Sequence, residues 1–171
     1  FRYLRQAGVS YSIQTVVETL RRNPATTLAL LAWFRSRHDP AGGSDADAEK
    51  SRLLEALGRA ASIDEDRILR LFIDLVAALL RTNAFVEPAP EALAFKFDSA
   101  KVPTLPDPRP WREIWVYSPR LEGIHLLGGL LARGGIRGSD RRDDFRTEVL
   151  GLVKTQIIKN SVIVPTGAKG G

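Results

Sequence analysis

The sequence predicts an α+β protein, with a helical part over residues 1–90 followed by alternating strands and a helix over residues 91–171. Three observations predict it. Apolar residues recur at helical spacing through most of the first part. The period then switches to two near residue 91, and helical spacing returns from about Asp143 between glycine-rich segments.

In "SYSIQTVVETLRRN", Ile13, Val16, Val17 and Leu20 fall at i, i+3, i+4 and i+7 and form one apolar stripe. Asn23-Pro24 reads as an N-cap followed by a first-turn proline, opening a second helix over "ATTLALLAWFRSRH". "DPAGGSDADAEK" is a loop by composition. A third helix carries Leu53, Leu54 and Leu57. Ser62 and Glu65 form a capping box, and the helix they open is expected to bury Ile68, Leu69, Phe72, Leu75, Val76 and Leu79.

Beyond residue 91, "LAFKFDS" alternates as a half-buried strand, and "VPTLPDPRPW" is an extended proline-rich connector. "REIWVYS" and "GIHLL" read as further strands, and "GGLLARGGIRGSDRR" as a basic loop. Phe145, Val149, Leu152 and Val153 then share one helical face. Asn160 reads as the C-cap, and "SVIV" as a short strand stopped by Pro165. Strand, strand, loop, helix, strand is the start of an α/β domain.

With 171 residues, 44% hydrophobic and 26% charged, the chain can bury a core and is not expected to be disordered. The absence of cysteine excludes disulfides and thiolate metal sites. His38 and His125 lie far apart, and no local spacing supplies the carboxylates that a metal site would need, so no metal is expected. No apolar run approaches the ~18 residues of a membrane span and no signal peptide opens the chain, so the expectation is a cytoplasmic protein with no membrane partner. The first residue is Phe1 and the last is Gly171 of a glycine-lysine motif, which suggests a piece of something longer.

The net charge is +5, which raises nucleic acid as a partner. Residues 1–90 carry twelve Lys/Arg against eleven Asp/Glu, whereas residues 91–171 carry thirteen against nine. The excess therefore lies in the second part, interleaved with Asp140, Asp143 and Asp144, which suits a local anion site better than a duplex-binding face.

Three motifs could carry chemistry. "ARGGIR" sets Arg133 and Arg137 around a Gly-Gly pair. In "KTQIIKN", Gln156 and Lys159 are three apart and share a helix face. "PTGAKGG" sets Lys169 among three glycines that let another group approach closely. Each has a plain reading: solvated loop arginines, a lysine favoured by the helix C-terminus, and a glycine-rich end. "GAKGG" is not a phosphate loop, because the G-x-x-x-x-G-K-[ST] spacing is missing.

Taken together, "ARGGIR", "EVLGLVKTQIIKN" and "VPTGAKGG" resemble the substrate domain of glutamate dehydrogenases. "EIWVYSPRLEGIHL", "SDRRDDFRTEVLGLVK" and "KNSVIVPTGAKGG" are similar to the large bacterial NAD-dependent class of that family. The resemblance implies that residues 91–171 are the first portion of an α/β dehydrogenase substrate (catalytic) domain, with residues 1–90 a helical segment preceding it. It also implies oxidative deamination of L-glutamate to 2-oxoglutarate and ammonium, in a homo-oligomer. NAD is the cofactor so implied, bound by a domain not present in these residues.

Residue by residue, the resemblance implies that Arg133 meets the distal carboxylate of glutamate, Lys159 the α-carboxylate, and Gln156 the same pocket. Lys169 matches the catalytic lysine. The chemistry suits them: charge-assisted bonds fix a dicarboxylate, and a desolvated lysine among cations has its pKa lowered so that it can serve the developing carbonyl. Gly138 and the stretch 127–131, "LGGLL", depart from the family pattern. The family's acidic catalytic partner and its G-x-G-x-x-G/A unit are not among these residues, so the chain alone is expected to be inactive. Two other readings remain open: a basic interaction or nucleic-acid-binding module, supported by five arginines between Arg133 and Arg146, and a catalytically dead relative.

Overall fold

The computed structural model describes residues 1–159 and 167–171, and for Arg133, Lys159 and Ala168 the backbone only. The expected strand "SVIV" and the Asn160 cap lie outside the described residues. The chain divides into two compact units, residues 11–77 and residues 1–10 with 78–171. The fold is α+β, as the periodicities predict.

The unit over 11–77 holds four helices: α2 (Ile13–Arg22), α3 (Pro24–His38), α4 (Ala46–Leu57) and the body of α5 (Ile63–Ala78). Its core is apolar, with Leu30, Trp33, Leu53, Leu57, Leu69 and Ile73 buried together and Leu20, Phe72 and Val76 packed around them. The apolar stripe of α2 is only half used. Val16 is buried, but Ile13 and Val17 are 58% and 46% exposed, because the buried arc is turned toward Thr19, whose hydroxyl donates to the carbonyl of Thr15.

Pro24 opens α3 as expected, yet Asn23 caps nothing with its side chain. Its amide instead donates to the Thr19 carbonyl, closing α2, and to the Glu65 carboxylate. Ser62 does cap α5, accepting from the Glu65 amide at 3.2 Å.

The other unit opens with α1 (Arg2–Gln6) and contains a sheet of β1 (Leu79–Thr82), β2 (Leu93–Phe97), β3 (Arg112–Tyr117), β4 (Glu122–Leu127), β5 (Ala132–Gly135) and β6 (Gly167–Gly170), with α6 (Phe145–Lys159) between β5 and β6. The strand order is β1-β2-β3-β4-β6-β5. β1 to β4 run antiparallel in sequence, β4 pairs antiparallel with β6, and β5 and β6 are parallel. A parallel pair needs a crossover, and α6 supplies it.

Three elements differ from expectation. Helix α5 stops at Ala78, and Leu79 is buried as the first residue of β1, opposite Phe97. The run "AALLRT" suits either state, and the unpaired edge of β2 decides it. The segment read as one basic loop contains β5, and the glycine-lysine motif, whose plain reading was a glycine-rich end, forms β6. Glycine depresses strand propensity, so local sequence hides both strands, while pairing with each other and of β6 with β4 makes them. Residues 1–6 were not singled out, yet α1 packs Tyr3 on Phe97 (4.5 Å between centroids) and near Trp115, which stacks in turn on Phe145.

Candidate functional site

The two glycine-rich motifs meet as β5 and β6. Their parallel register sets Arg133 beside Ala168, Gly134 beside Lys169, and Gly135 beside Gly170. The glycines answer to space rather than to backbone conformation, since none of them has positive φ. A Cβ at Gly134 would stand 2.6 Å from Cγ of Lys169 and closer still to its carbonyl oxygen, so no other residue fits there. A Cβ at Gly170 would press on Val153 at 3.0 Å and on Val149 at 3.3 Å, which lets α6 lie close against β6. The room made by these two glycines is thus taken by the protein's own groups. Lys169 is half-buried and fixed between β4 and β5 on a strand.

Strand alternation separates the candidates by face. Gly170 and its partner Leu126 turn toward α6, so Lys169 and its partner Leu127 turn to the other side. Gln156 lies on α6 in the stripe of Val149, Leu152 and Val153, half-buried, and the backbone of Lys159 follows three residues on. The structure therefore joins Arg133 and Lys169 on neighbouring strands, and Gln156 and Lys159 on the crossover helix. Lys169 is on the face of the sheet away from that helix.

His125 shares the Lys169 face, and sequence reasoning weighed it only as a metal ligand. The signal was present in "EGIHLL": Ile124 and Leu126 are buried, so the intervening histidine points the opposite way. Its imidazole is held below the ordinary histidine pKa, first by burial and then by the Lys169 cation. No cluster of three metal-ligating side chains occurs among the described residues.

A separate groove of about 570 Å³ runs beside Gly171, with Tyr117, Ile124, Arg137, Gly138 and Phe145 in its walls. Gly138, one of the departures from the family pattern, faces open space: a Cβ there would meet nothing within 4 Å. Lys169 does not line this groove.

The basic run nearby is largely matched within the chain. Arg137 and Ser139 both donate to the Glu148 carboxylate, at 2.8 and 2.9 Å, and hold it below the usual carboxylate range. Arg141 pairs with Asp144. Arg146 is buried and forks onto Glu113, which also accepts from the Tyr3 hydroxyl at 2.9 Å. The Arg146 amide donates to Gln6 at 2.9 Å, and the Gln6 amide donates to the Arg142 carbonyl at 2.9 Å. Three of the five arginines between Arg133 and Arg146 thus answer carboxylates of the same unit.

Residues 52–171 match the family described as bacterial NAD-glutamate dehydrogenase, catalytic domain, and residues 1–40 match glutamate dehydrogenase, helical motif 3. The chain is 49% identical to an NAD-specific glutamate dehydrogenase of Mycobacterium tuberculosis and 47% identical to one of Halomonas elongata, in each case over 99% of its length. An NAD-specific glutamate dehydrogenase of Pseudomonas aeruginosa is 45% identical over the same share. The chain spans about 11% of the length of these relatives. No described helix is long and apolar enough to cross a membrane.

Proposed function

The chain belongs to the bacterial NAD-glutamate dehydrogenase family, and from that premise we propose that it contributes the first part of the substrate site of an enzyme that oxidatively deaminates L-glutamate to 2-oxoglutarate and ammonium. In this reading residues 91–171 belong to the substrate-binding domain and residues 1–90 form the helical segment before it. The whole enzyme is a cytoplasmic homo-oligomer. The observation that carries the reading is the strand pair β5–β6, where Gly134 leaves room for one lysine, Lys169, and the register pairs Lys169 with Gly134, the residue after Arg133.

Each residue then has a task within its chemical means. Arg133 and Lys159 provide cations for the two carboxylates of glutamate, and Gln156 adds an amide to the same pocket. Lys169 Nζ hydrogen-bonds the oxygen of the developing carbonyl and carries the proton exchanged there. NAD, named for the relatives, takes the hydride in such a reaction. The described residues offer it no cradle: Gly134, Gly135 and Gly170 are packed on Lys169 and α6, and no G-x-G-x-x-G follows a strand.

The test is protection. In the full-length protein, 2-oxoglutarate should slow acylation of Lys169 by an amine-reactive reagent, followed by peptide mass spectrometry. Equal modification with and without 2-oxoglutarate would overturn the reading.

A further inference from the structure

Helix α6 carries Gln156 and the backbone of Lys159 toward its C-terminal end, and its opposite end is capped from a distant part of the chain. The amide of Arg146, in the first turn, donates to the side-chain oxygen of Gln6 at 2.9 Å. First-turn amides have no partner within their own helix, so a side-chain acceptor there acts as a cap. Such acceptors are ordinarily local. Here Asp144, the residue before the helix, pairs its carboxylate with Arg141, and the acceptor comes from α1. Gln6 is buried, and the other end of its amide donates to the Arg142 carbonyl at 2.9 Å. Arg2 donates to the same carbonyl at 2.8 Å and to Asp143 at 2.9 Å. α1 thus grips the start of α6, although it lies outside the residues matched as catalytic domain.

The sheet gives α6 less to hold it along its axis. Gly135 and Gly170 lie beneath the helix, where an added Cβ would meet Leu152 at 3.5 Å and Val153 at 3.0 Å. Side-chain ridges register one packed element on another, and glycine supplies none. These two positions set how close the helix lies and leave its axial place to its ends. Arg146 and Lys159 are roughly 20 Å apart along α6 at 1.5 Å per residue. The helix transmits a shift of its first turn to the other end.

We propose that Gln6 is a positioning residue for the substrate site: by capping α6 from α1 it fixes the axial place of that helix, and with it the reach of Gln156 and Lys159. The inference rests on those two residues binding glutamate. Gln6 touches no substrate in this scheme. Without the cap α6 is displaced part of the time, and affinity falls with the fraction of molecules that stay competent.

The test uses the full-length protein with Gln6→Met, which keeps bulk but neither amide bond, and Gln6→Glu, which keeps an acceptor for the Arg146 amide. Gln6→Asn, with a shorter reach, replaces the methionine variant if that one does not fold. The first readout is amide exchange at the start of α6. It should be at least about fivefold faster in Gln6→Met and near the unsubstituted rate in Gln6→Glu. Equal exchange in all three proteins, or the same acceleration in both variants, overturns the proposal.

The second readout is steady-state glutamate oxidation. KM should rise about fivefold in Gln6→Met with kcat little changed, and recover in Gln6→Glu, because a lost carboxylate contact weakens ground and transition states alike. In a Lys159→Met background, Gln6→Met should change kcat/KM by less than about twofold, since the group it positions is gone. An unchanged KM in Gln6→Met, or the same fivefold loss in the Lys159→Met background, also overturns it. Failure of the dehydrogenase reading looks different: the unsubstituted protein then oxidises no glutamate, while amide exchange still decides whether Gln6 holds the start of α6.

Discussion

In the helical unit over 11–77 the most deeply buried side chains are Leu53, Ile68 and Leu69, whereas in the sheet unit they include Arg146 and Glu113, a charged pair at 1% and 0% exposure. The ion pairs of the helical unit are mostly local and exposed, such as Glu18–Arg22, Glu55–Arg59 and Asp64–Arg67. Each such pair is worth only about 0.2–0.5 kcal/mol. Those of the sheet unit join distant parts of the chain: Arg2 to Glu122, and Arg146 to Glu113. The first unit is held by apolar packing that tolerates exchange of its polar groups. The second is registered by a buried polar network in which each member leaves another unpaired if it is lost.

The largest expected effect belongs to the sheet unit. Lys169→Ala in the full-length protein should lower kcat by roughly 10²–10⁴ without changing the melting profile. An unchanged kcat would break the assignment of chemistry to this unit. Next comes the buried pair. Arg146→Met strands the Glu113 carboxylate and should cost about 3–5 kcal/mol, read as faster amide exchange across β3 and α6. Adding Glu113→Leu to it should restore much of the loss, because the pair is then replaced as a whole. In the helical unit, Leu53→Ala should cost about 2–5 kcal/mol, confined to exchange in α3, α4 and α5. Ser62→Ala should cost about 1 kcal/mol at the start of α5. If the Arg146→Met and Ser62→Ala effects proved equal, the contrast between the two kinds of core would fail.

The same contrast governs what was legible in the sequence. Helical spacing around Leu30, Leu53 and Leu69 is a local signal, and so is the alternation of Phe95 with Phe97, so α3, α4, α5 and β2 could be read directly. β5 and β6 could not, because each is a glycine-rich tetrapeptide made a strand by distant pairing: β5 with β6, reached through α6, and β6 with both β5 and β4. β1 was hidden for a related reason: "LLRT" continues a helical pattern until Phe97 offers it an edge. Arg146 read as one more basic residue in a run, since its carboxylate partner is thirty-three positions away. The candidate Lys169 was visible through its motif. Its neighbour His125 was visible only once register fixed which strands touch.

The smallest expected effect is also the one that compares the units most evenly, because each contains one histidine. His38 and His125 both have a buried Nε2 without a hydrogen-bond partner among the described residues. Burial holds both imidazoles below the ordinary value of 6.5, with Arg37 adding to the effect at His38 and Lys169 at His125. Unfolding returns each to 6.5, so the unfolded chain binds more protons below that pH. The stability each histidine contributes is therefore complete above 6.5 and is lost as pH falls toward its lower folded value. Amide exchange followed from about pH 7.5 to about pH 5, corrected for intrinsic rates, should show protection falling in α3 and in β4. His38→Gln should flatten the fall in α3 alone, and His125→Gln the fall in β4 alone. If either substitution flattened both, the two units would share one acid transition, and their separate cores would have to be regarded as one cooperative body.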